Sequence, residues 1–210
     1  MAVVARLFED GCPARARIRR LRLRHAALTY ARHGWHVLAG SRLCGDRFKC
    51  GPGCCTFACH PVAQQWDAAA TVDPESINEQ WKRSPYSVLL PTGSVFDVVE
   101  VPSYLGVLAE QHVRGPIVAT PTGQYYYLVR PGQTLSPELA RHHDVVLHQQ
   151  GSWIPAPPMR APEGPVRWVV SPSEVEWRLP DPREVQTSLV ATLPWLGFPP
   201  PPVEDLHAAA

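Results

Sequence analysis

From Ala14 to His33 the hydrophobic and polar positions follow a helical pattern: Ile18, Leu21, His25, Leu28 and Arg32 recur at three- and four-residue steps, and this period predicts a helix. Leu21, Ala27, Leu28 and Ala31 are expected to form its buried stripe. Gly34 is placed to end it, and Trp35 to Ala39 reads as a short strand. A second helix is expected from Asp73-Pro74, a cap followed by a first-turn proline, with Ile77 and Trp81 on one face. Strands are expected over Ser87 to Leu90 and Val95 to Val101, either side of a Pro91-Thr92-Gly93 turn. Residues 103 to 113 read as a helix with Leu105, Leu108, Ala109 and His112 on one side. Two more strands, Ile117 to Thr120 and Tyr125 to Val129, flank Pro121-Thr122-Gly123. Shorter ones are expected at Val145 to Leu147, Trp153 to Ile154 and Arg167 to Val170. A last helix is read over Ser188 to Leu196, before Pro199 to Pro202 stops it. Helices and strands alternate without a strict repeat, which predicts an α+β (mixed α/β) class with a central sheet flanked by helices.

Composition refines this picture in two ways. Twenty-four prolines in 210 residues call for many short elements joined by stiff turns. A hydrophobic content of 45% is enough for the core of one domain. The expected organisation is a lead-in over 1–14, a domain over 15–196 with a Cys-rich loop at 42–61, and a Pro-rich disordered tail over 197–210. A formal charge of +1 exerts no global pull toward nucleic acid or membrane. The charge is uneven, however: Arg15, Arg17, Arg19, Arg20, Arg22 and Arg24 crowd the start of the first helix. They read either as the solvated face of an amphipathic helix or as phosphate contacts. No segment has the length of a membrane span, and Arg6, Glu9 and Asp10 interrupt any export signal. A cytoplasmic location is therefore expected, with reduced thiols.

That expectation bears on the densest chemistry in the chain. Cys44, Cys50, Cys54, Cys55 and Cys59 fall within sixteen residues, and His60 follows at once. Thiolates and an imidazole in a Gly/Pro-rich loop can converge on one tetrahedral cation, and structural Zn2+ is the expected occupant. The spacing matches no common finger, and a redox-sensitive loop is the other reading.

From Ala27 to Gly93 the residues follow a recognisable order. It opens on Ala27-Leu28-Thr29-Tyr30-Ala31-Arg32-His33-Gly34-Trp35-His36-Val37 and passes through the cysteine cluster ending at His60-Pro61. Ala70-Thr71, Asp73-Pro74, Ile77, Trp81, Pro85 and Thr92-Gly93 follow, and the likeness continues to Ala156-Pro157-Pro158. This resembles the N-terminal domain of the bifunctional DNA primase/polymerase family, the archaeo-eukaryotic primase type, in a degenerate actinobacterial-type form. Such members carry a cysteine cluster and His-Pro at the same place. Cys44, Cys50 and His60 match it, Arg42 stands where a first cysteine would be, and Cys54, Cys55 or Cys59 is left to replace it.

The resemblance implies phosphoryl transfer by two Mg2+ or Mn2+ ions held by convergent carboxylates. In the family, two acids lie two residues apart in a strand and so share a face. Here Asp97 and Glu100 are three apart, which sends them to opposite faces; the position two after Glu100 is Pro102. The family's Gly-Gly-x-His turn is represented by Thr122-Gly123-Gln124-Tyr125, with Gln124 or Tyr125 in the histidine's place. A third motif keeps its acid as Asp144 but lacks the arginine two residues on; His142, His143 and His148 lie nearby, with His148 a candidate nucleotide contact. The expectation is a primase/polymerase-like domain that is catalytically inactive or strongly impaired, with Glu100, Asp97 and Asp144 as remnants. Its expected partners are DNA or nucleotides, through the arginine cluster, and a replication protein. An active nucleotidyltransferase with an altered ligand set, and a zinc-stapled protein-interaction module using Trp195 to Pro202, are the alternatives.

Overall fold

The computed structural model describes residues 13–197, with side chains from Ala16 onward. Of the expected lead-in and tail, only Pro13, Ala14 and Gly197 fall among the described residues. The polyproline stretch from Pro199 lies outside them.

The first helix, α1, runs from Pro13 to Arg32 and ends at Gly34, whose φ of 78° is the left-handed value a helix stop requires. Its buried face is Leu23, Ala27, Tyr30 and Ala31, while Ile18 and Leu21 are exposed. The expected stripe is therefore corrected at Leu21, because the helix is packed in the phase set by Leu23, Ala27 and Tyr30. Strand β1 (Leu38–Gly40) follows, then a hairpin of β2 (Arg42–Cys44) and β3 (Arg47–Lys49) that pattern reading did not anticipate. A single turn, α2 (Trp66–Ala69), leads to α3 (Pro74–Arg83), capped as expected by the Asp73 carboxylate on the Ser76 N–H. Ile77 and Trp81 on α3 are fully buried.

The strands that organise the rest are β4 (Ser87–Pro91), β5 (Asp97–Pro102), β6 (Ile117–Ala119), β7 (Gln124–Val129), β8 (Val146–His148) and β9 (Trp153–Pro155). Between β5 and β6 lies α4 (Ser103–Ala109), continued by a 3-10 turn, Glu110–His112, so Leu108 and His112 point to solvent. The short α5 (Pro137–Ala140) precedes β8, and β10 (Arg160–Ala161), β11 (Gly164–Pro165) and β12 (Arg167–Val170) follow β9. The last helix, α6 (Pro182–Thr192), begins six residues before the expected Ser188. Asp181 caps its first turn and Pro182 occupies it, the same signal as Asp73-Pro74.

The fold class is mixed α/β, as expected, and the strands form several antiparallel sheets. The largest has the order β12-β6-β7-β5-β8, a second has β1-β4-β9, and β2-β3 and β10-β11 are two-stranded. The five-stranded sheet is a middle layer with a core on each face. Val98, Val118 and Leu128 meet the β1-β4-β9 sheet, α1 and α3; Val99, Val101, Tyr127 and Val129 meet α4 and α6. Tyr30 ties α1 to the Ala156-Pro157 segment, donating to the Pro157 carbonyl at 2.6 Å and accepting from Trp168 Nε1 at 3.1 Å.

Candidate functional site

Strand β5 carries the two acids, and its pairing with β7 is unbroken from Asp97↔Val129 to Pro102↔Gln124. An uninterrupted ladder preserves strict alternation. Asp97 therefore shares a face with Val99 and Val101, toward α4 and α6, and Glu100 shares the other with Val98. Asp97 is buried, and its Oδ2 accepts the Gly132 N–H at 2.9 Å and the Gln149 side-chain N–H at 3.1 Å. Those bonds satisfy a desolvated carboxylate, the condition for leaving one inside a fold.

Glu100 meets a different partner. Its Oε2 lies 2.6 Å from His148 Nε2, and His148 Nδ1 lies 2.8 Å from Ser152 Oγ. His148 reaches it because β8 pairs with β5 in the register Val98↔His148. Directly opposite Glu100 on β7 stands Tyr126, whose ring is edge-on to the His148 ring. Burial, and then the Glu100 charge, push the Tyr126 hydroxyl well above its ordinary range. Asp144 is exposed and accepts a hydrogen bond from the Tyr104 hydroxyl, whose pKa is pushed up to about 12 chiefly by that bond. Each of the three acids thus has its own protein partner.

Of the expected nucleotide contacts, only His148 is hydrogen-bonded to Glu100. The Gln124 side-chain oxygen accepts from Thr120 Oγ1 at 2.7 Å and Thr122 Oγ1 at 2.6 Å, closing the β6–β7 turn. Tyr125 faces the other side of the sheet and lies over Gly106 on α4, where a Cβ would come within 2.4 Å of its ring. Tyr126, one residue on, is the tyrosine the register sets against Glu100. His142 is half-buried in the turn before β8, and His143 is exposed.

The cysteine loop is built on the β2–β3 hairpin. Its residues alternate, so Leu43 and Phe48 face inward while Arg42, Cys44, Arg47 and Lys49 face outward. Phe48, only 2% exposed, anchors the hairpin in the core, and its backbone also exchanges hydrogen bonds with Thr56. This return brings Cys50, Cys54 and His60 together, with donor atoms all within 4.8 Å of one another. It is the one grouping among the described residues of three or more such donors; Asp97, Glu100 and Asp144 make none.

The three donors can supply three corners of a tetrahedral site for a thiophilic cation. With Zn–S near 2.3 Å and Zn–N near 2.05 Å, a tetrahedral S···N edge is about 3.5 Å. The Cys54 Sγ to His60 Nε2 distance is 3.4 Å. His60 Nδ1 lies 3.3 Å from the Ala58 carbonyl, an acceptor that puts the proton on Nδ1 and leaves the Nε2 lone pair toward Cys54. The Cys54 thiol is shifted down, first by hydrogen bonding to the Cys50 backbone, while Cys50 is shifted up, first by its bond to Cys54. The other expected ligands lie outside this grouping. Cys55 is exposed, and Cys59 donates to the Ser41 carbonyl while burial pushes its thiol up. Cys44 lies on β2, across from Arg47.

The arginine cluster is divided in its use. Arg19 donates to the Leu43 carbonyl in the hairpin at 3.2 Å, and Arg20 to the Lys82 carbonyl at the end of α3 at 3.3 Å. Arg17 and Arg22 are exposed and Arg24 is half-buried; the Arg15 side chain lies outside the described ones. The basic helix is thus fastened to the cysteine hairpin, which spacing alone did not reveal. No helix among the described residues is long and apolar enough to cross a membrane.

Comparison with known families matches the chain to the bifunctional DNA primase/polymerase N-terminal domain over residues 27–184. That span holds the cysteine loop, both faces of the acid strand and the first turn of α6. No curated protein and no solved structure matches the chain.

Proposed function

The chain belongs to the bifunctional DNA primase/polymerase N-terminal family, and we propose that it is a catalytically silent or strongly impaired member, kept together by a structural zinc loop and retaining affinity for nucleotides or nucleic acid. One observation carries this reading: β5 alternates without a bulge, so Asp97 and Glu100 stand on opposite faces of the sheet. Two-metal phosphoryl transfer needs ions roughly 4 Å apart, clamped by carboxylates that converge. On the Glu100 face, the position where a second carboxylate would converge is Pro102, which has none. The imidazole of His148 takes up the Glu100 oxygen that a cation would use, and Asp97 is engaged in supporting the turn at Gly132.

When bound, zinc would link the hairpin to the segment ending at His60, with Cys50, Cys54 and His60 as its holders. The chain's own residues orient it: Ala58 and Thr56 position the His60 ring, and Phe48 keeps the hairpin docked. A role in replication would be exercised with a partner replication protein.

The deciding experiment is templated primer synthesis with Mn2+ and all nucleotides. No product above background is expected, and robust product that disappears in Glu100→Ala would overturn the reading. One observation favours a second possibility, an active enzyme with an altered ligand set: Glu100 and His148 are adjacent and present both a carboxylate and an imidazole to one spot. Mn2+ titration of the wild type against Glu100→Ala separates the two, since equal affinity removes the altered-ligand enzyme.

A further inference from the structure

The outward face of the cysteine hairpin has a composition that neither a structural metal nor the acid strand accounts for. Register places Arg42 directly opposite Lys49, and Arg47 opposite Cys44, so three cations share one side of the hairpin. Asp46 is the acid that accompanies them, 3.9 Å from Arg47 and largely exposed. Arg42 and Lys49 border an open cleft of about 470 Å³ floored by Gly51, Pro52, Gly53 and Cys54. The third cation, Arg47, holds its guanidinium 3.2 Å from the ring centroid of Phe57, which is 71% exposed. An aromatic ring this exposed gains nothing from the core. Yet it is held in place, because Thr56 is bonded to the Phe48 backbone and Arg47 covers the ring.

We propose that this face binds single-stranded nucleic acid, one unstacked base lying on Phe57 and the adjoining phosphates along Arg42, Lys49 and Arg47. The inference deepens the function proposed above and rests on its nucleic-acid affinity; it assigns that affinity to the hairpin rather than to α1 alone. A lone exposed ring in contact with Arg47 suits a strand whose bases are free to splay, because bases inside a duplex keep their faces occupied. The sequence-tolerant stacking of bases on aromatic rings, reinforced by arginine, is the recognition chemistry this set of side chains supplies. The α1 arginines extend the same surface: Arg19 reaches the Leu43 carbonyl between Arg42 and Cys44, so the basic helix abuts the hairpin.

The test uses the full chain, loaded with zinc, and a fluorescein-labelled oligo-dT strand read by anisotropy across a salt series. Phe57→Ala is expected to weaken binding about 5- to 150-fold while leaving the salt dependence unchanged, because a stacked base is lost and no charge is. Arg42→Ala and Lys49→Ala are each expected to weaken binding and to lower the slope of log K against log salt by about 0.7, the signature of one lost phosphate contact on a single strand. Arg114→Ala, in the connection leading into β6, serves as the matched loss of charge and is expected to leave both readouts unchanged. All four side chains are exposed, so the variants keep the near-ultraviolet dichroism of the parent. Wild-type binding that stays within twofold in Phe57→Ala and Lys49→Ala overturns the assignment while the broader nucleic-acid reading stands. No wild-type binding to oligo-dT overturns both. Tighter binding to the matching duplex, or equal competition by poly-glutamate, overturns the single-strand choice.

Discussion

Asp97→Asn tests the step on which the proposed loss of catalysis depends, that this acid supports the fold and does not face a metal. Asp97 is 2% exposed, and a single oxygen accepts the Gly132 N–H and the Gln149 side-chain N–H. Hydrogen bonds to a charged acceptor contribute about 1.5–3 kcal/mol each, and such bonds are not fully additive. Asp97→Ala, which leaves the Gly132 N–H without its acceptor, is therefore expected to cost about 3–5 kcal/mol. Asp97→Asn keeps one neutral acceptor and is expected to cost about 1–2 kcal/mol. For a chain of this size each kcal/mol moves the midpoint by about 2–4 °C. The alanine variant should thus melt about 6–20 °C lower and the asparagine variant about 2–8 °C lower. Denaturant titration and calorimetry supply the stabilities, and Mn2+ titration the affinities. The reasoning is refuted if Asp97→Asn lowers Mn2+ affinity tenfold at unchanged stability, because a carboxylate behaving so would be a metal ligand.

Three further outcomes follow from the geometry. Purified chain is expected to hold one zinc, lost in Cys54→Ala and His60→Ala and kept in Cys55→Ala; free zinc at a hundred times its dissociation constant should add about 2.7 kcal/mol to stability, seen as a zinc-dependent midpoint. Retention of the metal by Cys54→Ala would remove that site. Tyr30→Phe strips a buried hydroxyl from the Pro157 carbonyl and Trp168 N–H, and should cost about 2–3 kcal/mol in denaturant titration. Burial raises the Tyr30 hydroxyl above its ordinary 10.0, so its contribution is complete below about pH 10 and falls away as pH rises further. The variant should accordingly show a shallower loss of stability at alkaline pH, and an unchanged alkaline limb would contradict this. Gly93→Ala is expected to be among the most damaging small substitutions, because φ is +93° and a Cβ would lie 2.2 Å from the Gln150 backbone nitrogen. A variant that expresses and melts like the parent would show that the β4–β5 turn gives way more easily than this contact allows.

What could be read from the chain itself was whatever depends on local geometry. Asp73-Pro74 announces α3 because a carboxylate cap and a proline without an N–H satisfy a first turn by themselves. The opposed directions of Asp97 and Glu100 follow from alternation, a property of any strand that runs without a bulge. The motif order likewise pointed to a family that residues 27–184 match. The same cap stands at Asp181-Pro182, six residues before the helix start expected at Ser188.

The partnerships, by contrast, are tertiary. Glu100 meets His148 across 48 residues because β8 joins the edge of the sheet in one particular register, and nothing near either residue specifies it. The choice between Tyr125 and Tyr126 rests on the same cause, since shifting the pairing by one residue exchanges the faces of the whole strand. The phase of α1 was ambiguous because apolar and basic residues surround its first half, and only the docking of Leu23, Ala27 and Tyr30 selects one side. Of the six cysteine and histidine candidates, Cys50, Cys54 and His60 are grouped because the hairpin and the bond from Phe48 to Thr56 fold the loop back on itself. A sequence states which groups are available and which way a strand or helix turns them. Which of them meet is decided by how the elements pack, because convergence costs chain entropy that only the assembled core repays.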